Sequence, residues 1–121
     1  MKSKNILASF KYAFTGIKIA FLKEKNMKIH FVMAFLVIIM GIYFKIKTWE
    51  WIALIIVISL VISCEMINTT IEELVNLLSP NIRIEAKNAK DIAAGAVLVF
   101  AISSLVIGLI IFLPKVILLF K

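Results

Sequence analysis

Long apolar blocks, separated by short polar stretches, run along most of this chain and predict helices that cross a membrane. The blocks are residues 29–44, which His30 interrupts, and the uncharged stretches 51–64 and 92–113. A helix needs about 20 mainly apolar residues to cross the hydrocarbon core of a bilayer. We therefore expect an all-α integral membrane protein with transmembrane helices at about residues 27–45, 49–78 and 91–114.

The second of these helices is predicted to be longer than the membrane is thick. A helix over 49–78 measures about 45 Å, whereas the hydrocarbon core is about 30 Å thick. One end must therefore project into water, and we expect it to be the end that carries Glu72. The sequence Ser79-Pro80-Asn81 is expected to end this helix, because proline disfavours helical geometry in the residue before it. Pro114-Lys115 is expected to close the third helix in turn.

Residues at about 4–26 predict an amphipathic helix that lies on the membrane surface. Apolar residues recur at helical spacing on one face, at Ile6, Phe10, Phe14, Ile17 and Phe21. Lysines recur every seven residues on another face, at Lys4, Lys11, Lys18 and Lys25. Such a helix lies in the interface with its lysines toward the lipid headgroups. A cleaved signal peptide is the competing interpretation. It fits poorly, because lysines interrupt the apolar region and no A-x-A site follows.

The composition excludes a soluble globular domain. Of the 121 residues, 63% are hydrophobic, and the mean hydropathy is +1.07. We interpret residues 1–121 as one membrane domain that oligomerises, because so few helices can bury little surface within one chain. The net charge of +7 is concentrated near the N-terminus, which favours an anionic membrane surface over nucleic acid as partner. Cys64 is the only cysteine, so the chain forms no internal disulfide.

Lysine and arginine residues are distributed unequally between the two predicted membrane faces. Ten of them lie in the N-terminal segment and the 80–91 connector, and four lie in the 45–50 loop and the C-terminal tail. By the positive-inside rule, we expect the N-terminus and the connector in the cytoplasm and the C-terminus outside. Glu24, Glu72 and the pair Lys90-Asp91 then lie at the surface that faces nucleotides and Mg²⁺.

Polar residues that follow the second apolar block share one helical face. Asn68 and Glu72 come three and seven positions after Glu65, a spacing that places all three side chains on one side. A carboxylate at the centre of a membrane helix costs about 2.5–3.5 kcal/mol, so it usually faces a bundle interior or a polar cavity. We interpret the three residues as a functional site. The alternative for Glu65 is a structural carboxylate that pairs with a neighbouring helix, and Lys90-Asp91 could be interfacial capping charges.

The candidate chemistry is phosphoryl transfer with oxygen ligands for a metal. The four glycines form neither G-x-x-x-x-G-K-[ST] nor G-x-G-x-x-G, and one histidine with one distant cysteine cannot build a zinc site. Carboxylates suit Mg²⁺, which is usually shared with substrate phosphates. Phosphoryl transfer needs positioned charges and a base for the attacking hydroxyl. These parts could come from Glu24, Glu65, Glu72, Lys90 and Asp91.

Several motifs resemble one known family. E-x-x-N-T-x-I-E at Glu65–Glu72 and A-K-D-x-A-A-G-A-V at Ala89–Val97 are similar to the signature of the prokaryotic diacylglycerol kinase and undecaprenol kinase family. S-F-x-Y-A-x-x-G-I at Ser9–Ile17 and E-x-N-M-x-I-H at Glu24–His30 resemble the same family, closer to its Gram-positive undecaprenol kinase branch. The similarity runs over nearly the whole chain, and the two central motifs stand at the separation expected in the family.

The resemblance implies a homotrimeric lipid kinase of the bacterial cytoplasmic membrane, with one surface helix and three transmembrane helices per subunit. It implies that Glu65 is the general base and that Asn68 is its neighbour in the site. The residues implied to bind ATP are Tyr12, Glu24, Glu72, Lys90 and Asp91, of which Glu24 and Glu72 also hold the Mg²⁺ ions on the phosphates. The family shares its sites between subunits, so we expect Glu24 to close over a neighbour's Glu65. Asn76 stands where the family usually has Asp, and no role is assigned to it.

The resemblance implies ATP-dependent phosphorylation of the primary hydroxyl of undecaprenol, with diacylglycerol as the alternative acceptor. Both lipids present such a hydroxyl at the interface, and the apolar helices do not distinguish their tails. A non-catalytic membrane subunit, or a proton-coupled transporter with Glu65 as its relay, is the alternative from another class. The absence of an inverted repeat argues against the transporter. Of the remaining polar residues, His30 is interpreted as a headgroup contact, and Tyr12 equally fits an interfacial aromatic.

Overall fold

A computed structural model of the protein describes residues 5–81 and 83–121. These residues form four α-helices: α1 (Ile6–Lys23), α2 (Lys25–Tyr43), α3 (Thr48–Leu78) and α4 (Ile84–Leu119). Lys4, the first lysine of the predicted surface helix, lies outside the described residues. No strand occurs within the described ranges, and the prediction of an all-α protein is confirmed.

Three of the helices, α2, α3 and α4, are long and apolar enough to cross a membrane. Their bounds lie close to the predicted spans for α2 and α3. Helix α3 ends at Leu78, and the N–H of the capping residue Ser79 donates to the Val75 carbonyl. Proline at position 80 explains this end, because it disfavours helical geometry at Ser79, whose backbone is non-helical (φ −137°, ψ 77°). The chain is therefore a membrane protein with three candidate crossings.

Helix α4 extends well beyond the predicted third span. It begins at Ile84, seven residues before the expected start, and it continues through Pro114 to Leu119. The prediction that Pro114-Lys115 closes this helix is wrong. Proline removes one backbone donor and crowds the carbonyl four residues earlier, which kinks or breaks many helices. Transmembrane helices tolerate this, because neighbouring groups satisfy the backbone locally. Here the Lys115 ammonium donates to the Ile111 carbonyl at 2.8 Å, in the same turn as the proline.

A buried apolar core lies at the end of the bundle where α3 begins. Helix α3 packs most extensively against α4 and less extensively against α2. The buried apolar core there consists of Ile46, Leu54, Ile111 and Phe112. Gly41 of α2 allows a close approach, since a Cβ atom at this position would lie 2.5 Å from the Trp51 ring. This end of the bundle therefore fixes how α2 and α4 sit on α3.

A buried ion pair joins α3 to α4 at the same end. Glu50 Oε2 accepts from Lys115 Nζ at 2.8 Å, and Glu50 Oε1 accepts from the Lys47 N–H at 2.9 Å. The Glu50 side chain is 6% exposed and that of Lys115 is 28% exposed. The carboxylate thus caps the first turn of α3 and pairs with a cation on α4. The polar residues predicted to form a site lie toward the opposite end of α3.

Candidate active site

Glu24 lies at the junction between the two N-terminal helices. It is the one residue between α1 and α2, and its extended backbone (φ −95°, ψ 114°) breaks the helical path there. The chain turns tightly, because the Glu24 N–H still donates to the Ala20 carbonyl at 2.8 Å. Met27, in the first turn of α2, is completely buried and anchors that turn. The break between α1 and α2 therefore holds the Glu24 carboxylate in a defined position.

Glu65 is the most deeply buried charged residue among those described, with 1% of its surface exposed. Its Oε2 lies 3.0 Å from Nε2 of His30 on α2. A buried carboxylate is unfavourable unless hydrogen-bonding partners replace the lost water. The imidazole ring, which is 19% exposed, supplies such a partner when Nε2 carries the ring proton. The headgroup contact predicted for His30 is therefore replaced, in the structure, by a contact with the predicted base.

Thr69 connects Glu24 to the backbone that carries Glu65. Its hydroxyl lies 3.1 Å from Glu24 Oε2 and 3.0 Å from the Glu65 carbonyl oxygen, one helical turn earlier. Thr69 is itself buried. Glu24 was expected to close over a neighbour's Glu65, whereas in the structure it lies against Thr69 of its own chain. Glu24, Thr69 and Glu65 thus belong to one cluster within a single subunit.

Asn68 and Glu72 extend this cluster by one turn of α3. Asn68 Nδ2 donates to Glu72 Oε1 at 3.1 Å. Asn68 is 5% exposed, and its other polar atom, Oδ1, is the one buried side-chain N or O atom without a hydrogen-bond partner in the described residues. An unsatisfied buried oxygen costs about 1–3 kcal/mol, which points to a group that it meets during function. We name Glu24, His30, Glu65, Asn68, Thr69 and Glu72 together the carboxylate cluster.

Lys90 and Asp91, two of the residues that the family resemblance implies to bind ATP, form a second group with their partners Asn76 and Lys87. Lys90 Nζ donates to Asn76 Oδ1 at 2.6 Å, and Lys87 pairs with Asp91 along α4. Asn76, the residue without an assigned role, is thus the acceptor for Lys90. No hydrogen bond or ion pair between described residues links this group to the carboxylate cluster.

Tyr12 lies apart from both groups along α1. It stands twelve residues before Glu24, the residue at which α1 ends, so the two are about 18 Å apart along the helix axis. Its side chain is half exposed.

Lys23, at the other end of α1, pairs with Glu73 of α3 at 2.7 Å, and both side chains are more than half exposed. This exposed pair contributes little to stability, and it lies on the side of α1 that contacts α3.

The donor set of the carboxylate cluster fits Mg²⁺ that is shared with a substrate. The described residues contain no group of three or more His, Cys, Asp or Glu side chains that could hold a metal by themselves. Mg²⁺ is commonly bound through one or two carboxylates together with substrate phosphates and water. Glu24 and Glu72 are carboxylates of the type that Mg²⁺ takes, and the unpartnered Asn68 Oδ1 is a further oxygen of the right type.

Two members of the cluster, His30 and Thr69, were not predicted as site residues. Two signals in the sequence point to His30: it interrupts an otherwise apolar block, and it ends the motif E-x-N-M-x-I-H that resembles the family. A titratable side chain in a membrane helix usually faces a polar partner rather than lipid. Thr69 is the threonine of the motif E-x-x-N-T-x-I-E, and that motif is the signal for it. Its residue type adds none, because a serine or threonine hydroxyl in a helix can bond to the helix's own backbone.

Two named proteins are similar in sequence to this chain. An undecaprenol kinase of Bacillus subtilis (strain 168) is 42% identical over 107 residues, which cover 88% of this chain and 87% of that protein. A diacylglycerol kinase of Synechocystis sp. (strain ATCC 27184 / PCC 6803 / Kazusa) is 35% identical over 111 residues, which cover 91% of this chain and 63% of that protein. Residues 11–112 match the sequence model of the prokaryotic diacylglycerol kinase family. That match includes every residue of the carboxylate cluster and the Lys90-Asp91 pair, and the protein belongs to the prokaryotic diacylglycerol kinase family.

Proposed function

We propose that this protein is a lipid kinase that transfers the γ-phosphoryl group of ATP to the primary hydroxyl of a membrane lipid. The observation that carries the proposal is the buried Glu65 carboxylate, which is held by His30 within a helix long enough to cross the membrane. Such a group can remove a proton from a hydroxyl that arrives from the lipid phase. Both named relatives are kinases, and their names differ only in the lipid.

Glu65 acts as the general base in the proposed reaction. It accepts the hydroxyl proton while the lipid oxygen forms a bond to the γ-phosphorus of ATP. The bond from that phosphorus to the bridging oxygen breaks, and ADP leaves. Phosphoryl transfer depends mainly on positioning and on electrostatic stabilisation of the phosphate oxygens. His30 keeps the carboxylate oriented, since its ring contacts Oε2 and leaves Oε1 as the oxygen that takes the proton.

The proposed roles of the other residues follow from their positions. Glu24 and Glu72 would hold Mg²⁺, with Asn68 Oδ1 beside them. When bound, Mg²⁺ neutralises charge on the transferred phosphate. The family resemblance supplies the roles of Lys90, Asp91 and Tyr12 as nucleotide contacts.

The spacing of charged groups along α3 supports a proposal for how deep in the membrane the site lies. Glu50 and Glu72 are separated by 22 residues of one helix, or about 33 Å, close to the thickness of the hydrocarbon core. Glu72 then lies at one membrane surface, and Glu65 lies about 10 Å below it. We propose that the Glu72 end faces the cytoplasm of a bacterial cell, because the lysine-rich α1 contacts α3 at that end through Lys23 and Glu73 and such a helix is expected to lie on the cytoplasmic membrane surface. The C-terminus is then outside.

We further propose that the protein works as a homotrimer with shared sites. Within one chain, Lys90 bonds to Asn76 and Asp91 pairs with Lys87, so neither is engaged with the carboxylate cluster. A neighbouring subunit whose α4 approaches the cluster would bring these charges to the nucleotide. We thus keep the expectation that subunits share each site. In this proposal the neighbouring subunit contributes α4, rather than Glu24, to the site.

We propose undecaprenol as the acceptor, with diacylglycerol as the second candidate. The undecaprenol kinase relative favours the former, because its identity is greater (42% against 35%) and a larger share of that protein is covered (87% against 63%). The test is a side-by-side assay of both lipids in detergent micelles with labelled ATP and Mg²⁺. We expect labelled undecaprenyl phosphate at the greater rate. ATP turnover that is independent of any added lipid alcohol, or no turnover at all, would contradict the kinase assignment and favour a non-catalytic membrane subunit.

A further inference from the structure

A small cleft of about 240 Å³ lies where α3 ends and α4 begins, and we name it the junction cleft. The charged residues that line it, among those described, are three cations and one carboxylate: Arg83, Lys87, Lys90 and Asp91. The junction cleft is thus a positively charged concavity at the end of the bundle that carries Glu72. A concavity lined mainly by one sign of charge concentrates ligands of the opposite sign.

The three cations of the junction cleft differ in their partners. Lys87 and Arg83 each pair with a carboxylate of α4. Lys90 instead reaches across to α3, where its Nζ donates to Asn76 Oδ1 at 2.6 Å, fourteen positions earlier in the chain. Among the described residues, Lys90 is therefore the cation of this cleft that is held by an uncharged side chain.

The contact between Lys90 and Asn76 lies where a ligand can reach it. Asn76 is exposed, and Lys90 is partly exposed. The ammonium group has more than one N–H donor, and the Asn76 amide oxygen takes one of them. The remaining donors of Lys90 are thus open to an anion that enters the junction cleft.

The uncharged partner has an electrostatic consequence. An amide leaves the positive charge of Lys90 uncompensated, whereas a carboxylate at the same position would attract the ammonium as an ion pair. Phosphate oxygens would then have to compete with that carboxylate for the same cation. Asn76 stands where the family usually has Asp, so this chain lacks the competing charge beside Lys90.

We propose that Asn76 is a positioning residue that raises the affinity for ATP through Lys90. It holds the ammonium at the junction cleft with an uncharged acceptor, so that the phosphates meet its full charge. The inference rests on the proposed function, and it gives a role to the residue for which the family resemblance implies none. The role is the same whether the phosphates belong to the site of its own subunit or to that of a neighbour.

The experiment measures the Kd of ATP in the presence of Mg²⁺, with the full chain in detergent micelles and without a lipid alcohol. Asn76→Asp keeps the size of the side chain and adds a carboxylate beside Lys90. Exposed ion pairs change an equilibrium by up to about fivefold, and we expect the Kd to rise by about that factor. In turnover, KM for ATP should rise while kcat stays unchanged. Asn76→Ala adds no charge, and it should raise the Kd by less than Asn76→Asp does.

A double variant shows whether the effect of Asn76→Asp passes through Lys90. In a protein that already carries Lys90→Gln, the new carboxylate has no cation to pair with, so we expect it to leave the Kd nearly unchanged. A carboxylate that simply repels the phosphates would raise the Kd by the same factor with and without Lys90. That second result would overturn the proposal.

Asn88→Asp is the matched control. It is the same chemical change at an exposed residue of α4, two positions before Lys90, and Asn88 does not line the junction cleft. Residues two positions apart on a helix do not face each other, so the Kd should stay at the wild-type value. A rise equal to that of Asn76→Asp would overturn the proposal, because the added charge would then act without contacting Lys90.

Two further outcomes separate this proposal from the kinase assignment. A wild-type protein that phosphorylates its lipid, with the same Kd for ATP in wild type and Asn76→Asp, would overturn the role of Asn76 alone. So would a loss in Asn76→Ala as large as that in Asn76→Asp, since the absence of charge would then not be what matters. A wild-type protein that binds no ATP would overturn the proposed function together with this inference.

Discussion

His30 Nε2 lies 3.0 Å from Glu65 Oε2, although the two residues are 35 positions apart in the chain. The contact joins the first turns of α2 to the middle of the polar face of α3. It gives Glu65, the most deeply buried carboxylate of the carboxylate cluster, a partner at Oε2. The pair therefore fixes the proposed base at the contact between α2 and α3.

The first prediction concerns the base. Glu65→Gln keeps the size of the side chain and can still contact His30, but it cannot accept the hydroxyl proton. General-base catalysis typically contributes about 10²–10⁴-fold, so we expect kcat to fall by that amount. Assembly and ATP binding should persist, as measured by size-exclusion chromatography and by nucleotide binding. Near wild-type turnover in this variant would show that Glu65 is structural.

The second prediction tests His30 as a positioning residue. His30→Ala removes the contact with Glu65, and we expect kcat to fall by about 10-fold or more while KM for ATP stays unchanged. His30→Gln retains a side-chain N–H donor and should recover part of the rate. A purely structural role would lower the amount of folded protein without this separation of kcat from KM. If the Ala and Gln variants are equally impaired, hydrogen bonding to Glu65 is not the role of this residue.

Local sequence patterns specify part of this arrangement, and helix packing specifies the rest. The apolar blocks predict α2, α3 and α4, because the period and length of a membrane helix are local properties. The polar face of Glu65, Asn68 and Glu72 follows from spacing on one helix for the same reason. The contact of His30 with Glu65 depends on how α2 packs against α3, and no local pattern specifies that packing.

The end of α4 shows the same limit. Proline is a strong local signal to stop a helix, and the prediction at Pro114 relied on it. The helix continues because tertiary contacts hold the next turn, where Lys115 bonds to Glu50, 65 positions earlier in the chain. Local preference predicts where a helix can end, and packing with the rest of the bundle decides whether it does.

The third prediction concerns Mg²⁺. Glu24→Gln and Glu72→Gln each remove one negative charge from the proposed metal ligands and keep the side-chain shape. We expect each to raise the Mg²⁺ concentration needed for half-maximal activity by about tenfold, since ligand changes commonly alter metal affinity on that scale. Glu73→Gln is the matched control, because Glu73 adjoins Glu72 but pairs with Lys23 on the exposed side of α3. A Mg²⁺ titration that is unchanged in both ligand variants would reject this assignment.

The fourth prediction concerns the ion pair at the opposite end of the bundle. Lys115→Met leaves the Glu50 carboxylate buried without its cation. Breaking a buried pair in this way costs about 3–5 kcal/mol, and we expect the lower figure because the ammonium is partly exposed. Unfolding by SDS in mixed micelles measures the loss. Glu50→Gln combined with Lys115→Met should restore most of the stability, since no charge remains unpaired. Lys121→Met, an exposed lysine beyond the end of α4, is the control.

The last prediction concerns how subunits share the site, and it uses mixtures of two inactive variants reassembled in one membrane. Because Thr69 joins Glu24 to the Glu65 turn within one chain, the two lesions Glu24→Gln and Glu65→Gln act on the same cluster. In a mixed trimer each cluster keeps one lesion, and we expect the mixture to stay inactive. Lys90 lies outside that cluster, so Glu65→Gln mixed with Lys90→Gln should regain activity where a neighbour supplies the intact lysine.

Each outcome of the mixing experiment is informative once mixed trimers have been demonstrated by differential tagging. Activity from the Glu24→Gln and Glu65→Gln mixture would show that Glu24 reaches into a neighbouring subunit during turnover. Inactivity of the Glu65→Gln and Lys90→Gln mixture would show that each subunit carries its own complete site. In that case Lys90 must leave Asn76 and turn toward the carboxylate cluster of its own chain, because its charge would otherwise remain too far from the phosphates to contribute.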